Sequence, residues 1–137
     1  MADVLVHRGP DEAGVYVDYK AALGHRRLSI IDLVGGQQPM ATGDGRFVIV
    51  FNGEIYNYRA LRSELANAGH RFATSSDTEV LLAAYCSWGQ GCLERLNGMF
   101  AFAIWDRTKS EVFLARDRLG QKPLFYFWDG RQLAFAS

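Results

Sequence analysis

Polar side chains that could bind an amino acid and stabilise an oxyanion occur at three places in the sequence. Arg27 precedes the apolar run LSII, Asn52-Gly53-Glu54 follows the apolar run FVIVF, and Asp77 opens a helical pattern. A guanidinium offers a planar pair of donors to a carboxylate, and a carboxylate such as Glu54 or Asp77 can hold an ammonium group. An asparagine carboxamide beside a glycine N–H supplies two donors for an oxyanion. Together these residue types predict recognition of an α-amino acid and stabilisation of attack on an acyl carbon.

Each of these residues also has a simpler structural interpretation. Asp77 can favour the positive end of its own helix dipole, and for an isolated aspartate this is the commoner role. Asn52-Gly53 can form an ordinary turn. Arg27 can be a solvated charge, and Glu54 can pair with any nearby cation. The residue types alone therefore leave both interpretations open.

The elements that carry these residues follow from the apolar patterns. FVIVF, residues 47–51, is a continuous apolar run, which predicts a strand buried on both faces that ends before Asn52. YRALRSELANAGH predicts an amphipathic helix that ends near Gly69. A second helix is predicted to begin at Ser76, which with Glu79 fits a capping box.

The remaining sequence predicts β structure. VYVDYKAAL reads as a hairpin, and MFAFAIWD, EVFLARD, PLFYFWD and RQLAFAS read as strands separated by turns at 106–109 and 129–130. The aromatic residues of FAFAIW and FYFW fall at strand spacing and are predicted to be core. The order of strands, helices and strands predicts an α+β fold with antiparallel sheets and helices packed outside them.

Composition narrows the classes of function. The chain of 137 residues predicts one domain, and its 15 basic and 15 acidic residues leave no charge imbalance that would favour nucleic acid or an anionic membrane. The histidines at 7, 25 and 70 lack metal-ligand spacing, so no metal site is predicted. Cys86 and Cys92 lack CxxC spacing and are predicted to be buried thiols in a reducing compartment. No signal peptide or membrane-spanning run is visible, and we expect a cytoplasmic protein.

The ordered motifs resemble a known family. HRGPDEAG, LGHRRLSIIDL, GGQQPM, FNGEIYN, SSDTEV, LNGMFAFAIWD and ARDRLGQKPLFY follow the order and spacing of class II glutamine amidotransferase domains, particularly those of glutamine-hydrolysing asparagine synthetases. The resemblance runs from about residue 7 to the last residue. It implies the fold of the N-terminal nucleophile hydrolases, a four-layer αββα sandwich of two antiparallel sheets.

The resemblance also implies a role for each candidate residue. Arg27 would bind the α-carboxylate of glutamine, and the backbone of Leu28, Ser29, Ile30 and Ile31 would line the pocket. The Asn52 side chain and the Gly53 N–H would form the oxyanion hole. Glu54 would contact the amine or carboxamide of the substrate, and Asp77 would hold its α-ammonium group.

In this family, glutamine is hydrolysed and the ammonia passes to a synthetase domain in the same chain. That domain uses ATP and Mg²⁺ to amidate aspartate, whereas no cofactor is expected for the glutaminase domain itself. Other acceptors, such as a sugar or a peptide, stay open as alternatives.

The sequence departs from the family at its first residues. The family nucleophile is an N-terminal cysteine, whereas here Ala2 follows Met1. We therefore expect residues 1–137 to be a partial domain, lacking the nucleophile strand and the synthetase domain, that is inactive alone. A non-catalytic module that binds glutamine, or that assembles as a homo-oligomer through an exposed sheet edge, is the alternative.

Overall fold

The computed structural model describes residues 12–27 and 36–137. These residues form eight strands, two α-helices and a short 3-10 helix in an order that agrees with the α+β prediction. The elements are β1 (Glu12–Val17), β2 (Ala22–Arg27), β3 (Met40–Ala41), β4 (Phe47–Ile55), α1 (Tyr58–Asn67), α2 (Asp77–Trp88), a 3-10 helix (Gly89–Glu94), β5 (Gly98–Asp106), β6 (Glu111–Arg116), β7 (Phe125–Trp128) and β8 (Leu133–Ala136).

The central element is a four-stranded antiparallel sheet in the order β3-β4-β5-β6. Its longest pairing joins β4 to β5 over nine residues, from Phe47 opposite Asp106 to Ile55 opposite Gly98. The hairpin turn predicted at 106–109 joins β5 to β6. β4 is thus paired with β5 along its whole length and with β3 only at Val48 and Ile49.

The two faces of β4 enter two different hydrophobic clusters. Ile49, Phe51 and Ile55 pack with residues of α1 and α2, whereas Val48 and Val50 pack with residues of β1, β2 and β5. This division follows from the period of two along a strand, which sends successive side chains to opposite faces. The continuous run FVIVF is therefore buried on both faces, as predicted.

Both helices begin or end as the sequence indicates, with one exception. The Gly69 N–H donates to the carbonyl of Ala66 just after α1, and Gly69 has a positive φ of 99°. The Ser76 hydroxyl caps α2 by accepting from the Thr78 N–H at 3.0 Å. The reciprocal half of the predicted capping box is wrong: the Glu79 carboxylate accepts from the amides of residues 73 and 74 instead, because the loop before α2 folds back over it.

The prediction that the FYFW aromatics are core is also wrong. Phe125, Tyr126, Phe127 and Trp128 are between 58% and 72% exposed. The reason lies in the topology, since β7 pairs only with β8 within the described residues and stands outside the four-stranded sheet. The aromatics of FAFAIW, in contrast, lie in β5 at the centre of that sheet and are buried.

The described residues thus form three layers of the predicted sandwich. α1 and α2 cover one face of the four-stranded sheet, and the β1-β2 hairpin covers the other, with Phe135 of β8 packed against the same cluster. None of the described helices is long and apolar enough to cross a membrane.

Candidate functional site

The strand β4 continues past FVIVF and includes Asn52, Gly53 and Glu54. These three residues pair with Ala101, Phe100 and Met99 of β5, so the prediction that the strand ends before Asn52 is wrong. The turn interpretation of Asn52-Gly53 is excluded by the same pairing. The three residues are half-buried and lie between Phe51 and Ile55, which both belong to the helix-side cluster.

Gly53 is required by the backbone at this point of β4. Its φ is 151°, and a Cβ atom placed there would lie 2.1 Å from the carbonyl oxygen of Met99 and 2.7 Å from the Cα of Phe100. A side chain would therefore collide with the β5 backbone. Because glycine has no side chain, residue 53 can adopt this φ while β4 stays paired with β5.

The Asn52 side chain is held from its nitrogen end. Nδ2 of Asn52 donates to Oγ of Ser137 at 2.8 Å, and this hydroxyl donates in turn to the carbonyl of Pro123 at 2.5 Å. A carboxamide nitrogen has two hydrogens, so one hydrogen is engaged and the other is available to a ligand. The orientation of the carboxamide is thereby fixed.

Asp77 lies where the end of β4 meets the start of α2. It is 6% exposed, and its Oδ2 accepts from the Ile55 N–H at 3.0 Å. Burial raises the pKa of Asp77 above its usual range, the backbone amides of Ile55 and Thr78 oppose this shift, and the negative charge of Glu54 adds to it. Asp77 has no ion pair within the described part of the chain.

The structure therefore brings together four of the predicted site residues. Asn52, Gly53 and Glu54 lie at the end of β4, and Asp77 is hydrogen-bonded to the next residue of that strand. Arg27 is the last residue of β2, where its backbone pairs with Glu12. The predicted pocket residues Leu28, Ser29, Ile30 and Ile31 lie outside the described residues.

His25 of β2, two residues before Arg27, contacts the strand that carries the site. Nε2 of His25 lies 3.0 Å from the carbonyl oxygen of Phe51, the residue that precedes Asn52. β2 therefore contacts β4 beside Asn52. This contact links the strand that carries Arg27 to the strand that carries the proposed oxyanion donors.

Two residues at the site were missed by the sequence reasoning. Ser137 contacts Asn52 across 85 residues of sequence, and no periodicity or spacing could indicate that contact. The side chain of Gln38 brackets the backbone of Phe51 with two hydrogen bonds. The only signal for Gln38 in the sequence is its place in the GGQQPM motif.

The two cysteines lie in the helical part of the chain, Cys86 on α2 and Cys92 in the 3-10 helix. Cys92 is buried in the helix-side cluster, as predicted. Cys86 on α2 is exposed, so the prediction that it is buried is wrong. Desolvation of the sulfur raises the pKa of each thiol to about 11, which keeps both protonated at neutral pH. The described residues contain no cluster of ligands that could hold a metal ion.

Comparison with known proteins identifies the family. The glutamine amidotransferase domain family matches residues 1–137. The chain belongs to this family. The resemblance inferred from the ordered motifs is confirmed, and the family membership extends over the whole sequence.

Similar proteins carry the name asparagine synthetase. The chain is 48% identical to asparagine synthetase [glutamine-hydrolyzing] 3 of Bacillus subtilis and 50% identical to asparagine synthetase 2 of the same organism, with all of the chain covered in each case. It is 43% identical to asparagine synthetase B of Escherichia coli over 94% of its length. The chain spans only 18–23% of the length of these relatives.

The fold is shared with a solved amidotransferase. Glutamine phosphoribosylpyrophosphate amidotransferase from B. subtilis superposes with a TM-score of 0.67 at 29% identity, covering 83% of this chain and 27% of that one. The α+β fold class of the amidotransferase sandwich is confirmed by this similarity.

Proposed function

We propose that the chain is the glutamine-recognising part of a glutamine amidotransferase of the asparagine synthetase type. Glutamine would be hydrolysed to glutamate and ammonia, and a synthetase domain in the same polypeptide would use the ammonia with ATP and Mg²⁺ to amidate aspartate. The observation that carries this proposal is the convergence of Asn52, Gly53 and Glu54 with Asp77 at one end of β4.

Asp77 is suited to hold the α-ammonium group of glutamine. Its carboxylate is buried and lacks an ion pair among the described residues, so it is destabilised in its charged form until a cation arrives. A ligand ammonium would supply that cation and leave the Ile55 N–H bound to the same carboxylate. Glu54 would add negative charge on the same side of the ligand.

Asn52 and Gly53 are suited to stabilise an oxyanion. The hydrogen bond to Ser137 fixes the Asn52 carboxamide, and the strand pairing fixes the Gly53 backbone, so both donors are preorganised. Loss of one such donor typically costs about 2.7–4 kcal/mol of transition-state stabilisation. In this proposal Arg27 binds the α-carboxylate, and the backbone of Leu28 to Ile31 lines the pocket.

The sequence of 137 residues is expected to recognise glutamine without hydrolysing it. Its two thiols are protonated at neutral pH and lie in or beside the helical layer, so neither supplies a nucleophile to the Asn52-Gly53 donors. An enzyme-coupled glutamate assay should therefore show no release above background. Glutamate release that is lost in Asn52→Ala would contradict this expectation.

A non-catalytic assembly module is the second candidate, favoured by one observation. The four consecutive aromatics of β7 are exposed, and exposed apolar patches of this kind mark interaction surfaces. Such a module would need neither glutamine nor the donors at the end of β4.

Calorimetric titration with L-glutamine separates the two candidates. The amidotransferase proposal predicts binding that is weakened at least tenfold in Arg27→Ala and changed less than threefold in Arg26→Ala, which removes the same charge from the neighbouring residue. Absence of heat from the parent chain, together with self-association at sedimentation equilibrium, would favour the assembly module.

A further inference from the structure

The pairing between β3 and β4 stops just before the site. Met40 pairs with Ile49 and Ala41 with Val48, so the next positions in the same register would be Pro39 opposite Val50 and Gln38 opposite Phe51. β3 begins only at Met40, so the main-chain ladder stops before it reaches Phe51. The segment of β4 that leads to Asn52 thus loses its strand partner on this side.

The side chain of Gln38 replaces the missing strand at Phe51. Oε1 of Gln38 accepts from the Phe51 N–H at 2.6 Å, and Nε2 donates to the Phe51 carbonyl oxygen at 3.0 Å. A carboxamide has the same donor and acceptor as a peptide group, so it satisfies both backbone groups of one residue. Phe51 is 4% exposed, so leaving its N–H unpaired would be unfavourable, whereas its carbonyl oxygen also lies 3.0 Å from Nε2 of His25.

The same carboxamide reaches the helix that carries Asp77. Nε2 of Gln38 lies 3.4 Å from the hydroxyl oxygen of Thr78, which is buried in the first turn of α2. Phe51 precedes Asn52, and Thr78 follows Asp77. One side chain therefore touches the immediate neighbour of each of the two groups that form the proposed site.

The backbone of Gln38 is itself held from the other side. A Cβ atom at Gly14 of β1 would lie 1.9 Å from the Gln38 carbonyl oxygen, so β1 passes directly against this residue. Gln38 cannot move towards β1, and its side chain is half-buried between β4 and α2. The carboxamide is thus a rigid connection rather than a surface group.

We propose that Gln38 is a positioning residue that fixes the Asn52-Gly53 donors relative to Asp77. This inference rests on the proposed function for its consequence, glutamine binding, but the connection itself can be measured without a ligand. Gln37 provides a matched control because it is the adjacent glutamine and is exposed. Gln38→Met keeps the length of the side chain and removes both hydrogen bonds to Phe51.

The decisive experiment combines hydrogen exchange with glutamine titration on the parent, Gln38→Met and Gln37→Met. We expect the Ile55 amide, which donates to Asp77, to exchange at least tenfold faster in Gln38→Met relative to amides in the middle of β5, which report global unfolding. We also expect the Kd for glutamine to rise at least tenfold. Gln37→Met should change neither quantity by more than twofold.

The outcomes separate this inference from the proposed function. If the parent does not bind glutamine, the proposed function fails, and the exchange at Ile55 alone decides the positioning role. Parent-like exchange at Ile55 relative to β5, or parent-like glutamine affinity in a binding-competent chain, would overturn the inference. If Gln38→Met does not fold, Gln38→Glu, which keeps an acceptor for Phe51, is measured in the same way, and failure of both variants to fold would overturn it in favour of a purely structural role.

Discussion

Two buried carboxylates lie at opposite ends of β4, and their pKa values are shifted in opposite directions. Asp106 stands opposite the first residue of β4 and is 5% exposed, whereas Asp77 binds the last residue of β4 and is 6% exposed. The guanidinium of Arg46, 2.9 Å away, lowers the pKa of Asp106 despite burial, and two turn amides add to this effect. Burial dominates at Asp77 and raises its pKa.

Within the described part of the chain, the protein offsets the buried charge at one end of β4 and leaves it uncompensated at the other. At the hairpin end, burial of the Asp106 carboxylate is offset by a cation and by the amides of Thr108 and Lys109. At the Asp77 end, the described residues supply amides but no ion pair, so a buried negative charge is left for a ligand to neutralise. Residues kept at a cost in stability are typical of functional sites.

The largest expected difference between the two ends concerns their glycines. Gly53→Ala should destabilise the fold by more than about 3 kcal/mol, because its Cβ would collide with the β5 backbone at an unfavourable φ. Gly45, beside the Asp106 end, has a φ of 69° and only a 3.4 Å approach to a flexible arginine, so Gly45→Ala should cost about 1 kcal/mol. Urea unfolding of both variants measures the difference, and equal losses would contradict the account of Gly53.

The second-largest expected effect is the difference in the free energy of unfolding between the two carboxylate variants at neutral pH. Asp106→Asn should lower the free energy of unfolding by about 1–3 kcal/mol, since it removes the charged partner of Arg46. Asp77→Asn should leave the free energy of unfolding unchanged or raise it, since it removes an unpaired buried charge and keeps an acceptor for the Ile55 amide. Greater destabilisation of Asp77→Asn than of Asp106→Asn in urea unfolding would contradict this expectation.

The smallest expected effect is the pH dependence of the difference in unfolding free energy between each carboxylate variant and the parent. The lowered pKa of Asp106 means that its stabilising contribution is present above the unfolded-state pKa and is lost as the pH falls through the folded-state pKa. The raised pKa of Asp77 means that its contribution is present below the unfolded-state pKa and is lost as the pH rises through the folded-state pKa.

Unfolding curves of both variants across acid to neutral pH test these signs. The advantage of Asp77→Asn over the parent should therefore shrink as the pH falls, and the deficit of Asp106→Asn should shrink as well, at lower pH. A pH-independent difference for Asp77→Asn would show that the buried charge is not responsible.

Much of this fold could be predicted from the sequence because its elements have strong local patterns. The burial of 47–51, the end of α1 at Gly69 and the start of α2 at Ser76 depend on periodicity and capping, which act over a few residues. The prediction that β4 ends before Asn52 is wrong for a physical reason. Pairing with β5 holds Asn52 to Glu54 in a strand that their polarity disfavours.

The site was predictable only as a set of residue types, since its geometry depends on contacts distant in sequence. The bond from Asp77 to Ile55 spans 22 residues, that from Gln38 to Phe51 spans 13, and that from Asn52 to Ser137 spans 85. The exposure of FYFW likewise depends on which strands pair, not on their composition. Local patterns carry no information on such contacts.

The most direct test of the account is titration of L-glutamine into the parent chain, Asp77→Asn and Asp106→Asn at neutral pH. A charge-assisted hydrogen bond contributes about 1.5–3 kcal/mol, so we expect Asp77→Asn to bind about 10- to 150-fold more weakly than the parent. Asp106→Asn, measured under conditions where it is folded, should bind like the parent. Parent-like affinity in Asp77→Asn, or equal weakening in both variants, would contradict the assignment of the glutamine ammonium to the carboxylate at the end of β4.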